Sequence, residues 1–391
     1  MDFELSREQK MIQKSVREFM HKEIAPLTEE IDRNDRFPEG IWKKLGDLGV
    51  LGLGIPEEYG GSGLDMMALV IAVEEIARVC PGLALSYGAH LNLCAHNLER
   101  NGTHDQKQRF LPGLCSGDLI GCMGLTEPDV GSDAVSITTA AEKKGDFFRI
   151  NGSKTFITNA PEADIALVYT KTDMEKRAKG ITAFLVERGS PGFSVSRKIE
   201  KFGNRGSLTG ELVFNDCFVP AENMLGQFNN GIRVMMNGLD AERVVVAAIA
   251  LGIGQASLEL GLRYSRERHQ FNQPLSNFQL IKAKLANMYT EMEAARGLVY
   301  RAAVLASRSV LGGKGTELHK LAASAILYTA EAASRAANES LQIHGGYGYT
   351  LDYPINRFYR DAKLYEIGAG TSEIRRILIA DELIKKGTGS T

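Results

Sequence analysis

Residues 231–269 read GIRVMMNGLDAERVVVAAIALGIGQASLELGLRYSRERH, an apolar run at helical spacing without proline that predicts one long helix. On such a helix the neighbours of Glu242 are Gly238, Leu239, Val245 and Val246, none of them basic. Arg243 is adjacent in sequence but points elsewhere around the helix, so an intrahelical ion pair does not account for the charge. A carboxylate set against Val244, Val245, Val246 and the alanines after them is either desolvated, with the raised pKa of a general base, or paired with a distant Lys or Arg. The segment by itself leaves both open.

Outward from this helix the periodicity changes twice, which predicts an α+β chain of three units: an N-terminal helical domain over 1–120, a middle antiparallel β-domain over 121–226 and a C-terminal four-helix bundle over 227–391. In the first, Ser6 and Gln9 form a capping-box pattern ahead of Met11, Ile12, Val16, Phe19 and Met20, and an apolar-periodic run extends from Met66 to Leu98. In the second, alternating runs at Phe147–Ile150, Ile165–Tyr169, Thr182–Val186 and Glu211–Phe214 predict strands, with Asn151-Gly152 as a hairpin turn. In the third, helices are expected to end near His269, Leu311 and Gly345, with a last one opening at Thr371.

Composition excludes several function classes. The formal charge is −2 with no basic stripe, which argues against nucleic acid and anionic membranes. The longest near-apolar stretch, Val244–Gly254, is short for a bilayer, and the N-terminal residues Met1 to Glu4 lack signal-peptide character, so a soluble cytoplasmic protein is expected. Five scattered cysteines without Cys-x-x-Cys spacing predict free buried thiols and no metal site. No Gly-x-Gly-x-x-Gly follows a strand, and Gly312-Gly313-Lys314-Gly315-Thr316 lacks phosphate-loop spacing, so nicotinamide and nucleoside-triphosphate folds lose support. His-Glu-x-x-His and Gly-x-Ser-x-Gly motifs are likewise missing. Two glycine-bearing stretches carry more. Gln342 to Tyr349 closes a helix with glycines that allow close approach, and Gly368-Ala369-Gly370-Thr371-Ser372-Glu373 opens one whose N-H groups suit a phosphate.

Taken together, Thr126-Glu127-Pro128 with Gly131-Ser132-Asp133, Arg268 and Phe271 with Gln279, Gln342 to Gly346, and Thr371-Ser372-Glu373 resemble the acyl-CoA dehydrogenases nearly end to end. The isovaleryl branch is resembled most, through Ser86-Tyr87-Gly88-Ala89-His90 and on to Cys94, Leu239 to Arg243, and Leu364 to Thr371. Most branches carry the base at the place occupied here by Ala369, whereas the isovaleryl and long-chain branches take it from the position of Glu242.

The resemblance implies α,β-dehydrogenation of a short branched acyl-CoA. Isovaleryl-CoA would give 3-methylcrotonyl-CoA in leucine breakdown, with FAD as cofactor and electron-transfer flavoprotein as partner. Glu242 would be the base, with the thioester oxygen held by the N-H of Ala369 and a ribityl hydroxyl of FAD. Leu125, Thr126, Phe156, Ile157 and Thr158 would wall the flavin ring; Thr371, Ser372 and Glu373 would also bind the cofactor. Ser132, Asp240, Arg243 and Gly370 would contact substrate, although Asp240 and Arg243 also suit a simple i,i+3 pair. Arg268, Phe271, Gln279, Gln342, Gly345 and Gly346 would reach the FAD of a neighbouring subunit, which implies a homotetramer. Phe156 stands where tryptophan is common, and Asn272 where glycine is usual. Other acyl-CoA substrates, an oxidase of the same fold and a non-catalytic acyl-CoA-binding scaffold are the alternatives.

Overall fold

The computed structural model describes residues 4–308 and 316–387. The helix end expected near Leu311, the Gly312–Gly315 run, Met1–Phe3 and the tail beyond Gly387 lie outside the described residues.

The N-terminal helices are α1 (Arg7–Phe19), α2 (Thr28–Asn34), α3 (Ile41–Asp47), α4 (Met66–Ala77), α5 (Pro81–Gly88), α6 (His96–Asn101) and α7 (His104–Ser116). Ser6 caps α1 in a full capping box with Gln9, as its sequence dictates. The run from Met66 to Leu98 is not one helix. Pro81, which cannot donate a backbone hydrogen bond, restarts it as α5, and a π-helical stretch at Ala89–Ala95 precedes α6.

The middle strands are β1 (Gly121–Gly124), β2 (Ala140–Lys144), β3 (Phe147–Thr158), β4 (Ile165–Lys171), β5 (Ile181–Glu187), β6 (Phe193–Lys198), β7 (Thr209–Pro220) and β8 (Met224–Leu225). They form one sheet in the order β6-β7-β3-β2-β4-β5-β8, with β1 on β4. The sheet is mostly antiparallel, but β1 runs parallel to β4, so it is mixed. The hairpin expected at Asn151-Gly152 is absent. β3 passes straight through these residues because β2 and β7 hold it on both sides, and the register shift between Ile150 and Gly152 is taken up by an extra residue on β7, where Asn215 and Asp216 lie opposite Asn151 alone. Asn151 uses its amide across the sheet on Asp216 instead of in a turn. The real hairpin lies at Gly145-Asp146, where Gly145 takes a φ of 63°. Along β4, Ile165, Leu167 and Tyr169 face the helices while Ala166 and Val168 enter a second core beneath the sheet, so the strand is apolar on both faces.

The C-terminal part holds α8 (Gly231–Glu267), a two-stranded ribbon of β9 (His269–Gln270) and β10 (Gln273–Pro274), α9 (Gln279–Arg308), α10 (Glu317–His344), α11 (Ile355–Ala362) and α12 (Ser372–Lys386). α8, α9 and α10 pack on one another, α12 packs along α10, and α4 packs onto α8 and α9. By length and composition alone α8 is apolar enough to cross a membrane, yet 78% of its most apolar window is buried, which marks it as the core helix here. Gly252 permits the approach of α4: a Cβ there would lie 2.5 Å from the carbonyl oxygen of Glu74. All five cysteines are free and buried.

Two acidic residues of α4 bind the parts together. Glu75 accepts two hydrogen bonds from Arg17 of α1, at 2.6 and 3.0 Å, and Glu74 pairs with Arg296 and accepts from the Tyr300 hydroxyl at 2.9 Å. Both carboxylates are nearly inaccessible, so removing one leaves cations without their partner. Glu74→Ala is expected to destabilise the fold by about 3 kcal/mol. Glu18→Ala, which breaks an exposed pair with Lys14, should stay within about 0.5 kcal/mol; urea unfolding midpoints compare them.

Candidate active site

Glu242 sits in the first half of α8, partly accessible yet deep in the fold. Among the described residues it makes neither a hydrogen bond nor an ion pair. Burial pushes its carboxyl up to about 7, against the opposing pull of Arg243 and Arg375. Arg243 is therefore electrostatically closer than the helical wheel suggests, but its guanidinium is turned to Asp240, on which it donates at 2.9 Å. His319 of α10 meets the same Asp240 oxygen at 2.7 Å, so the expected i,i+3 pair belongs to a buried three-residue cluster. The Nε of Arg243 has no protein partner among the described residues.

Arg375 is a site residue that the motifs did not single out. It is 1% exposed, in the first turn of α12, and donates to the carbonyls of Tyr365 at 2.8 Å and Gly368 at 2.5 Å. These bonds hold the loop that carries Ala369 and Gly370, and its charge reaches Glu242. The sequence signal was an arginine one turn after a helix start, a place where the helix dipole disfavours cations. Ala369 itself has a φ of 56°, a left-handed conformation worth roughly 1–2 kcal/mol of strain for a residue with a Cβ. Its N-H makes no hydrogen bond among the described residues.

Thr371 caps α12 by accepting from the N-H of Ile374 at 3.3 Å. The Ser372 hydroxyl is buried without a protein partner among the described residues. Glu373 turns its carboxylate back on the same helix end, where its own N-H and the Thr371 hydroxyl hold its pKa down.

On the β-side, Leu125 and Thr126 sit half-buried in the segment between β1 and the Pro128-Asp129 turn, and Ser132 is exposed in the loop after it. Phe156 is 66% exposed at a φ of 59°, an arrangement that costs on the order of 1–3 kcal/mol for a bulky residue. Thr158 is half-buried beside it. Ile157 does not face the same way: its side chain is in the core beneath the sheet, so only its backbone is available to a ligand on the wall. Strand alternation imposes this on any three consecutive residues.

The third group lies elsewhere. Arg268, Phe271, Gln279, Gln342, Gly345 and Gly346 are all exposed near the far end of α8, where the Arg268 guanidinium stands 5.6 Å over the Tyr347 ring. Phe271 and Asn272 both take positive φ, so Asn, which tolerates that region better than most residues, keeps the turn that glycine would make. Between Glu242 and Arg268 run about 25 residues of continuous helix, roughly 40 Å at about 1.5 Å per residue.

The acyl-CoA dehydrogenase N-terminal, middle and C-terminal domain families match residues 6–118, 122–217 and 229–384. The chain is 48% identical to the mitochondrial isovaleryl-CoA dehydrogenase of Pongo abelii over 96% of its own length and 88% of that protein's. Butyryl-CoA dehydrogenase from Megasphaera elsdenii superimposes with a TM-score of 0.94 at 41% identity, covering 98% of this chain and 100% of the other. An acyl-CoA dehydrogenase from Bacillus anthracis complexed with FAD gives 0.90 at 33% identity, over 98% of this chain and 69% of that one. With all three of its domains matched in order, the chain belongs to the acyl-CoA dehydrogenase family, a family of flavin-dependent oxidoreductases.

Proposed function

We propose that this acyl-CoA dehydrogenase oxidises isovaleryl-CoA to 3-methylcrotonyl-CoA in leucine catabolism, with Glu242 as the base, and passes electrons to an electron-transfer flavoprotein. The observation that carries the reading is a carboxylate on α8 raised to about 7 by burial, combined with Ala369 at the place where other branches keep their base. A carboxyl so poised is half ionised near neutral pH, where a general base acts best. Removing the weakly acidic α-proton also needs a donor on the thioester oxygen, and the free N-H of Ala369 supplies one at fixed geometry. Arg243 and Arg375 keep the glutamate from rising further, which would leave it protonated.

The residues present fit FAD. Phe156 offers an exposed aromatic wall, and the α12 terminus offers a buried, unpartnered hydroxyl at Ser372. Gly345 and Gly346 have open space where a Cβ would stand. Bound there, FAD supplies the hydride acceptor that a saturated carbon–carbon bond requires. Arg268, in the distal group, stands roughly 40 Å along α8 from Glu242 in the proposed reacting site. In the proposed assembly a second copy supplies the distal set. Phe271, Leu280, Tyr349 and Leu351, each more than three-quarters exposed, give that copy an apolar surface to cover.

The substrate assignment rests on the tract Ser86–Cys94. Its residue Gly88 lies against α8, where a Cβ would stand 3.5 Å from Val245, one turn beyond Glu242. That position suits the boundary of a short acyl pocket.

Four outcomes are expected. Glu242→Gln should retain acyl-CoA binding while turnover falls about 10³–10⁴-fold. In the parent enzyme kcat/KM should climb with pH and level off above about 7, because only the ionised carboxylate accepts the proton; the variant should lose that limb. Among acyl-CoA thioesters, isovaleryl-CoA should have the highest kcat/KM, with butyryl- and valeryl-CoA within about 10–200-fold; octanoyl-CoA exceeding it would overturn the substrate. Sedimentation followed at the flavin absorbance should show one FAD per chain in a homotetramer, and a flavin-loaded monomer would exclude the shared site.

A further inference from the structure

Lys154 on β3 is fully buried, and its Nζ lies 2.8 Å from the equally sequestered Glu127. Dry ion pairs of this kind add little to stability compared with apolar residues of the same volume, so the pair calls for another explanation. Its connections supply one. Glu127 accepts from the N-H and hydroxyl of Thr138 at 2.6 and 2.8 Å and from the N-H of Thr139 at 2.9 Å. Lys154 donates to the carbonyl of Leu125 at 3.1 Å, and the next residue, Thr155, donates its N-H to the carbonyl of Thr126 at 2.9 Å. Three backbone segments are thus tied at one point: the segment Leu125–Val130, the entry to β2, and β3. Immediately beyond it, between Lys154 and Ile157, the pairing of β3 with β7 slips, and Phe156 stands outward in its left-handed conformation. Such a conformation persists only where its surroundings over-determine it.

We infer that the Lys154–Glu127 pair is the positioning element of the flavin wall: it locks the Leu125-Thr126 segment to β3 and thereby holds Phe156 against the isoalloxazine ring. The inference rests on FAD occupying this site. Neither side chain touches the ring, so both are positioning residues. Gly124 belongs to the same device. A Cβ there would stand 3.1 Å from both Cγ of Lys154 and Cδ1 of Leu212, so a methyl group would press on the lysine stem.

The test uses full-length protein reconstituted with FAD and compares the parent with Glu127→Gln/Lys154→Met, which removes both charges together, and with Gly124→Ala, which keeps both and displaces the lysine. Flavin dissociation constant, visible absorption bands and flavin midpoint potential are read beside the unfolding midpoint of the apoprotein. The double variant should unfold near the parent's midpoint yet hold FAD at least tenfold more weakly, with a shifted flavin band and potential. Gly124→Ala should shift the band in the same direction to a smaller extent. FAD affinity within twofold of the parent and an unshifted spectrum in both variants would overturn the role. Failure of the parent itself to bind FAD would overturn the cofactor reading, and this inference with it.

Discussion

Everything at this site depends on keeping one carboxylate dry without giving it a partner. Water around Glu242 would return it to the ordinary carboxylate range, and a direct ion pair would drive it lower still. The fold meets both demands through α8. Small residues such as Gly238 and Gly252 let the Asn97 side chain of α6 and the backbone of α4 close on the helix. The two nearest arginines are present but engaged elsewhere: Arg243 by Asp240, and Arg375 by two carbonyls of the neighbouring loop. Their fields reach the glutamate while their hydrogen bonds do not. This division of labour lets a carboxylate lie beside two cations and still keep a pKa near neutrality.

The outline of three segments is legible because hydrophobic period is a property of the whole window, and windows as long as α8 average out local exceptions. The α1 capping box and the Thr371 cap read correctly for a different reason: each is a contact between residues three apart, complete within the local sequence. What failed to read depends on distant neighbours. Asn151-Gly152 has the composition of a turn, but two flanking strands keep it extended, and nothing within the dipeptide announces them. The break of the Met66–Leu98 run at Pro81 was visible as a proline but not as a new helix, since Pro is also welcome in a first turn.

The candidate site divides along the same line. Glu242 stands out because its own helix supplies the anomaly. Arg375, His319 and Lys154 do not, because their roles come from groups on other segments: His319 from Asp240, 79 residues away, Lys154 from Glu127, 27 residues away, and Arg375 from carbonyls of the loop before its helix. Ile157 shows the converse. The resemblance assigns Ile157 by position to a ligand wall, whereas its side chain lies in the core beneath the sheet.

The five cysteines are sealed in the interior, and burial raises every thiol: Cys80, Cys115 and Cys217 to about 11 and Cys94 to about 12, with Cys122 well above its usual value. Since the thiolate is the species that reacts, burial and raised pKa values both disfavour attack on these thiols by peroxide and alkylating agents. Protection of this kind is conditional. An opening that wets one core exposes only the sulfurs in it, Cys80, Cys94 and Cys115 on the helical side or Cys122 and Cys217 beneath the sheet, so the rate at which each thiol is modified is a clock for how often its part of the molecule breathes.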